Sequence, residues 1–115
     1  ILGYKNHLHK RDNLLNNNKK WVYITESDLH PHLKSRMIQR GISLQEIEFT
    51  LNNGWESSDA KLGTFGKTMV YLYQDKWEGQ FFEEKEVSVY YKIIDEYIVL
   101  LTVKARYGKN FPRGE

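Results

Sequence analysis

Two alternating segments joined by two polar residues constrain this chain more than any other feature. In Glu86–Ile94, apolar side chains recur at Val87, Val89, Tyr91 and Ile93. After Asp95-Glu96 the run Tyr97–Ala105 returns as the most apolar stretch of the sequence. Alternation with a period of two marks a half-buried strand. A reversal over two residues joins such strands only as an antiparallel hairpin. Because Tyr97–Ala105 is apolar on both faces, it is expected to be the central strand. Lys67–Tyr73 alternates in the same way and adds a third strand. Gln74–Glu84, with Gly79 inside it, reads as a turn region, and Gln74–Glu86 as a long, acidic, aromatic-rich insertion that is either a mobile solvated loop or a contact for a partner.

The preceding residues follow a helical period. Leu29, Leu33 and Met37 recur at every fourth position, with Ser27 or Asp28 as the expected cap, Pro31 in the first turn and Gly41 at the end. Ser43-Leu44-Gln45-Glu46 is a capping box for a second helix with Leu44, Ile47 and Leu51 on its buried face, closed by Asn52-Asn53-Gly54. Helix, helix, then a strand meander predicts an α+β fold, its N-terminal helices packed on a twisted antiparallel sheet of three to five strands.

A chain of 115 residues suits one domain that buries a core without staples. It has no Cys, which excludes disulfides and thiolate metal sites. No apolar run reaches the ~20 residues of a membrane-spanning helix. Residues 1–20 are polar and include Asn16-Asn17-Asn18. They read as a lead-in or linker remnant, with a short helix through Asn13–Asn16, before a domain over 21–115 in which Trp21–Thr25 is extended. The chain opens on Ile1 without a signal-peptide pattern, as a fragment or processed product would. Net charge is +2, unevenly spread: +4 over residues 1–20, −4 over 75–96 and +3 over 97–115. Such a distribution either places a positive strip on one face or is ordinary surface charge.

Two groups of side chains suit phosphate chemistry. His32, Arg36 and Arg40 lie at i, i+4 and i+8, on one face of the first helix. A His exchanges protons near neutral pH, and each Arg offers a planar fork to phosphate. The plainer alternative pairs Arg36 and Arg40 with Asp28, Glu46 or Glu48. Thr102, Lys104 and Arg106 alternate onto one face of the last strand, followed by Tyr107, Lys109 and Arg113. A Lys in an apolar strand either faces a bound phosphate or snorkels into water. His7/His9 and His30/His32 are spaced i, i+2 and share no helix face, and no metal-ligand pattern accompanies them. Trp55, Trp77, Tyr90 and Tyr91 are candidates for base stacking or for the core.

The run His32-Leu33-Lys34-Ser35-Arg36-Met37-Ile38-Gln39-Arg40-Gly41-Ile42-Ser43, then Glu46-Ile47, resembles a bacterial domain family of uncharacterised function whose motif is His-x-x-x-Arg-Met-x-x-Arg-Gly-Ile-Ser. Leu101-Thr102-Val103 is similar to its last strand. That family looks like the small nuclease toxins that include barnase, RelE and colicin D. The Gly108–Gly114 tail resembles the ends of toxin domains from contact-dependent inhibition and related polymorphic toxin systems. The resemblance implies a barnase/RelE-like fold and a C-terminal toxin domain of a secreted or cell-surface protein, acting in the cytoplasm of a target bacterium. It also implies a dedicated immunity protein as partner.

These features together predict a metal-independent endoribonuclease, without cofactor, that cuts tRNA by 2′-hydroxyl attack and leaves a cyclic phosphate. His32, Arg36, Arg40, Thr102 and Lys104 are its expected catalytic residues, with Arg106, Tyr107, Lys109 and Arg113 binding substrate and a host translation factor as a further possible partner. The alternatives are a non-catalytic RNA- or protein-binding domain, or a metal-dependent DNase toxin.

Overall fold

The computed structural model describes residues 6–10, as backbone, and 21–114. Strands β1 (Asn6–Lys10), β2 (Trp55–Glu56), β3 (Phe65–Trp77), β4 (Gln80–Ile94) and β5 (Tyr97–Gly108) form one antiparallel sheet of order β1-β5-β4-β3-β2. Helices α1 (Pro31–Arg40) and α2 (Leu44–Asn53) pack on one of its faces. The fold is α+β with helices on one side of an antiparallel sheet, as the two periodicities predict. Leu29 and Leu33 from α1 and its approach, and Ile47 and Leu51 from α2, meet Val87, Val89, Tyr91, Ile98 and Val103 from the sheet.

Local chemistry sets the element ends. The Ser43 hydroxyl accepts from the Glu46 N–H at 3.1 Å, and the Glu46 carboxylate accepts from the Ser43 N–H at 2.9 Å, completing the capping box. Gly41 ends α1 at φ +70°, and a Cβ there would meet the Trp77 and Tyr107 rings. Asp95 and Glu96 both take positive φ, at 51° and 70°, as a two-residue hairpin turn requires. Trp21–Thr25 forms no regular strand. Glu48 and Asn52 of α2 stand in for a strand partner, taking the Ile24 N–H at 2.8 Å and the Val22 N–H at 2.7 Å.

Four expectations change. First, α1 is capped by His30, not by Ser27 or Asp28. Its Nδ1 accepts from the Leu33 N–H at 3.2 Å with Pro31 at the first helical position, while Asp28 is buried in a separate short turn against Thr25. Second, Gln74–Glu84 is not a turn region. Strands β3 and β4 run on as a ribbon to a two-residue turn at Glu78-Gly79. Trp77 and Phe82 of that ribbon pack on Tyr107, Trp77 stacking at 4.9 Å. Third, β5 is an interior strand as expected, flanked by β1 and β4, but the middle of the five is β4. Fourth, part of the lead-in joins the sheet: β1 pairs with β5 around Asn6↔Ile98. The helix expected at Asn13–Asn16 lies outside the described residues.

The cap makes a pH prediction. Only a neutral imidazole accepts the Leu33 N–H, and burial, aided by nearby His32, holds His30 below its ordinary value against an opposing hydrogen bond to the Leu100 backbone. The unfolded chain therefore binds more protons in the intervening window. Stability from the cap is complete above about pH 6.5 and is lost as pH falls from there towards the folded-state value. His30→Asn keeps a side-chain acceptor that does not titrate. Its Tm is expected to fall less than the parent's between about pH 7.5 and 5.5 by thermal melts.

Candidate functional site

The face of the sheet away from the helices carries the polar side chains. Directly paired residues of an antiparallel sheet share a face. Pairing therefore puts Gly66, Tyr90 and Thr102 in one row across β3, β4 and β5. The next row holds Thr68, Ser88 and Lys104, and the third Val70, Glu86 and Arg106. A β-bulge makes this arrangement. The β4–β5 register shifts between Tyr90 and Tyr91, so that Tyr91 faces Leu100 while Tyr90 faces Thr102. Without that shift Arg106 would oppose Lys85 and Lys104 would oppose Val87, on the buried face. One extra residue turns every following side chain over.

A cleft of about 660 Å³ opens on this face. Loop residues 57–59 wall one side, and Trp55 with Pro112, Arg113 and Gly114 another. Ser57, Thr68 and Ser88 join hydroxyls in a chain along the floor, Thr68 to Ser88 at 2.7 Å. The Tyr90 hydroxyl donates to Asp59 at 2.7 Å, and the Lys104 ammonium sits 3.3 Å from the other Asp59 oxygen and 5.1 Å from the Tyr90 ring. Burial, with the Asp59 carboxylate as acceptor, pushes the Tyr90 phenol up to about 12. Tyr90 thus stays a neutral donor at physiological pH. The same hydrogen bond lowers Asp59.

Glu86 and Arg106 form the other centre. Arg106 Nε donates to Glu86 at 2.8 Å, which raises Arg106 further. The carboxylate side chain is 14 % exposed and the guanidinium 63 %, so the acid is embedded and the cation offers itself to solvent. Among the described residues Arg106 donates only through Nε. Arg106 lines the cleft, and its two terminal nitrogens keep a planar fork of donors for an anion.

Lys104, Arg106 and Arg113 therefore gather around this cleft as cations. The Arg113 guanidinium is itself held by Glu84 at 2.9 Å. Thr102 shares the face, beside Tyr90, just outside the cleft. The remaining expected residues lie elsewhere. Arg40 reaches the β5 backbone, donating to the Val103 carbonyl at 3.1 Å. Arg36 donates to Gln39 at 3.3 Å, and exposed His32 stacks on His30 at 6.1 Å. The acids offered as partners are engaged otherwise, Glu46 with Lys85 and Glu48 with Trp21. Tyr107 faces the helices and donates to the Arg40 carbonyl at 2.7 Å. Lys109 is exposed beyond β5. The helix group thus sits across the sheet from Thr102, Lys104 and Arg106.

Compared with models of protein families, with curated proteins and with solved structures, the chain matches none significantly. The site stands on its own geometry. That geometry adds Glu86, Asp59, Ser88 and Thr68, which the sequence reading did not include. The parity of β4 carried a signal: Glu86, Ser88 and Tyr90 alternate with the apolar Val87, Val89 and Tyr91. No helix among the described residues is long and apolar enough to cross a membrane.

Proposed function

We propose that the chain is a metal-independent endoribonuclease whose centre is the outer sheet face. One observation carries this reading: an embedded carboxylate, Glu86, is tied to an exposed guanidinium with free terminal nitrogens, one row from an exposed Lys104, in a cleft floored by hydroxyls. A carboxylate beside paired cations is what attack by a ribose 2′-hydroxyl needs. Glu86 takes the 2′ proton as general base. The Arg106 fork and the Lys104 ammonium hold the phosphoryl oxygens as charge builds on them. The phosphorus–O5′ bond then breaks, Lys104 gives a proton to the departing oxygen, and a 2′,3′-cyclic phosphate remains. The resemblance of the α1 motif to nuclease toxins supports the same class. It also suggests tRNA as the RNA, a competing bacterium as the setting and an immunity protein as the partner.

The test is incubation of the protein with total bacterial RNA in EDTA, with product ends mapped. Discrete fragments bearing cyclic phosphate and 5′-hydroxyl ends are expected. Removing one charge-stabilising group typically costs about 10²–10³ in rate, and Arg106→Ala and Lys104→Ala should each show such losses. Cleavage that stops in EDTA would identify a metal-dependent nuclease instead. RNA left intact in both conditions while binding weakens steeply with salt would identify a binding domain.

A further inference from the structure

The cleft wall contains a contact that the cleavage chemistry does not use. Trp55, on short strand β2, pairs with Thr68 and so continues the row of Thr68, Ser88 and Lys104 on the outer face. Its indole is half-buried, and what lies on it is backbone: a methyl at Gly114 would overlap indole Cδ1 and Cγ. Several contacts bring the chain there. The Phe111 N–H donates to Glu84 at 2.9 Å. Arg113 Nη2 donates to Glu84 at 2.9 Å, and Nη1 to the Phe111 carbonyl at 2.6 Å. The Phe111 ring lies 4.9 Å from the Arg106 guanidinium. Phe111–Gly114 is thus a strap latched on one carboxylate, with side-chain-free Gly114 packed against the five-membered ring of the indole.

We infer that the Trp55 indole is the stacking platform for an unpaired nucleobase, and that the Phe111–Gly114 strap covers it until RNA displaces the strap. This rests on the ribonuclease reading of the same cleft. A planar platform beside two phosphate-seeking cations, Lys104 and Arg106, fits a ligand that joins a flat ring to a phosphate. The base must be unpaired to present its face, so the substrate is a single-stranded segment or loop. Arg113 then acts as a latch and not as a phosphate ligand.

Binding of a labelled 2′-O-methyl oligoadenylate of about ten nucleotides tests this by fluorescence anisotropy, because it stacks but lacks the attacking hydroxyl. A strap closed about nine-tenths of the time weakens apparent affinity about 10-fold. Arg113→Ala and Gly114→Ala are therefore each expected to tighten binding by up to about 10-fold. Trp55→Leu should weaken binding by roughly 5- to 150-fold, the loss of one stacked base. Pairing the oligonucleotide with its complement should weaken it likewise. In a Trp21→Phe/Trp77→Phe background, Gly114→Ala should expose Trp55 to collisional quenching. Weaker binding in Arg113→Ala would make that residue a phosphate contact and overturn the strap. Unchanged binding in Trp55→Leu, with the parent binding well, would overturn the platform and leave the ribonuclease reading standing. Failure of the parent to bind any single-stranded RNA would remove both.

Discussion

The Glu86→Gln variant is expected to bind RNA as the parent does and to cleave it about 10²–10⁴-fold more slowly, the usual contribution of a general base. Gln is nearly isosteric and keeps an oxygen that accepts from Arg106 Nε, the bond that orients the guanidinium at 2.8 Å. The phosphate subsite therefore survives while the proton acceptor is lost. Stability should change little, because the partner Arg106 is 63 % exposed and such pairs contribute about 0–1 kcal/mol. Single-turnover cleavage of a labelled RNA, with binding measured alongside, separates the two effects. His32→Ala is the matched control. His32 stands on α1, across the sheet from the cleft, and should retain parental cleavage. The reverse pattern, with Glu86→Gln active and His32→Ala inactive, would move the centre to the helix face and end the present reading.

The elements were legible in the sequence where short-range chemistry decides them. The Ser43–Glu46 box, the Gly41 stop and the Asp95-Glu96 turn all depend on residues within four positions of each other. The ribbon at Gln74–Glu84 was hidden because its support is distant: Trp77 and Phe82 need Tyr107, some thirty residues later, to make a packed face of an acidic, polar stretch. The His30 cap was masked by better capping types at Ser27 and Asp28, which a separate short turn consumes. The site was legible by half. Lys104 and Arg106 stood out as cations in an apolar strand. Their partner Glu86 did not, because a register read from the Asp95-Glu96 turn places it opposite Ala105. Only the bulge at Leu101 brings Glu86 opposite Arg106. A bulge leaves no strong local signature, so the step joining acid to base is a property of the folded sheet.

Neutralising Glu46 should cost more stability than any other single change of one polar atom here. Lys85 is buried on the helix side of β4, its side chain 4 % exposed. Its ammonium donates to both Glu46 oxygens, at 2.9 and 3.0 Å, and to the Gly41 carbonyl. The rings of Tyr73 and Tyr107 close around it, with centroids 5.7 and 5.6 Å away. Removing one partner of a buried pair leaves an uncompensated charge, a loss of about 3–5 kcal/mol. Glu46→Gln isolates that term, because Gln still accepts the Ser43 N–H in a capping box. A Tm lower by roughly 10–20 °C is expected for a domain of this size. Glu46→Ala should fall about 1 kcal/mol further, having lost the cap as well. Lys85→Met keeps the stem volume and buries no charge, so it should be far milder, and Lys85→Met combined with Glu46→Gln should recover most of the Glu46→Gln deficit. Recovery in that cycle means the deficit belongs to the stranded ammonium. An additive loss would mean that Glu46 acts only through α2, and that the link from Gly41 through Lys85 to Glu46 does not tie the two helices to β4.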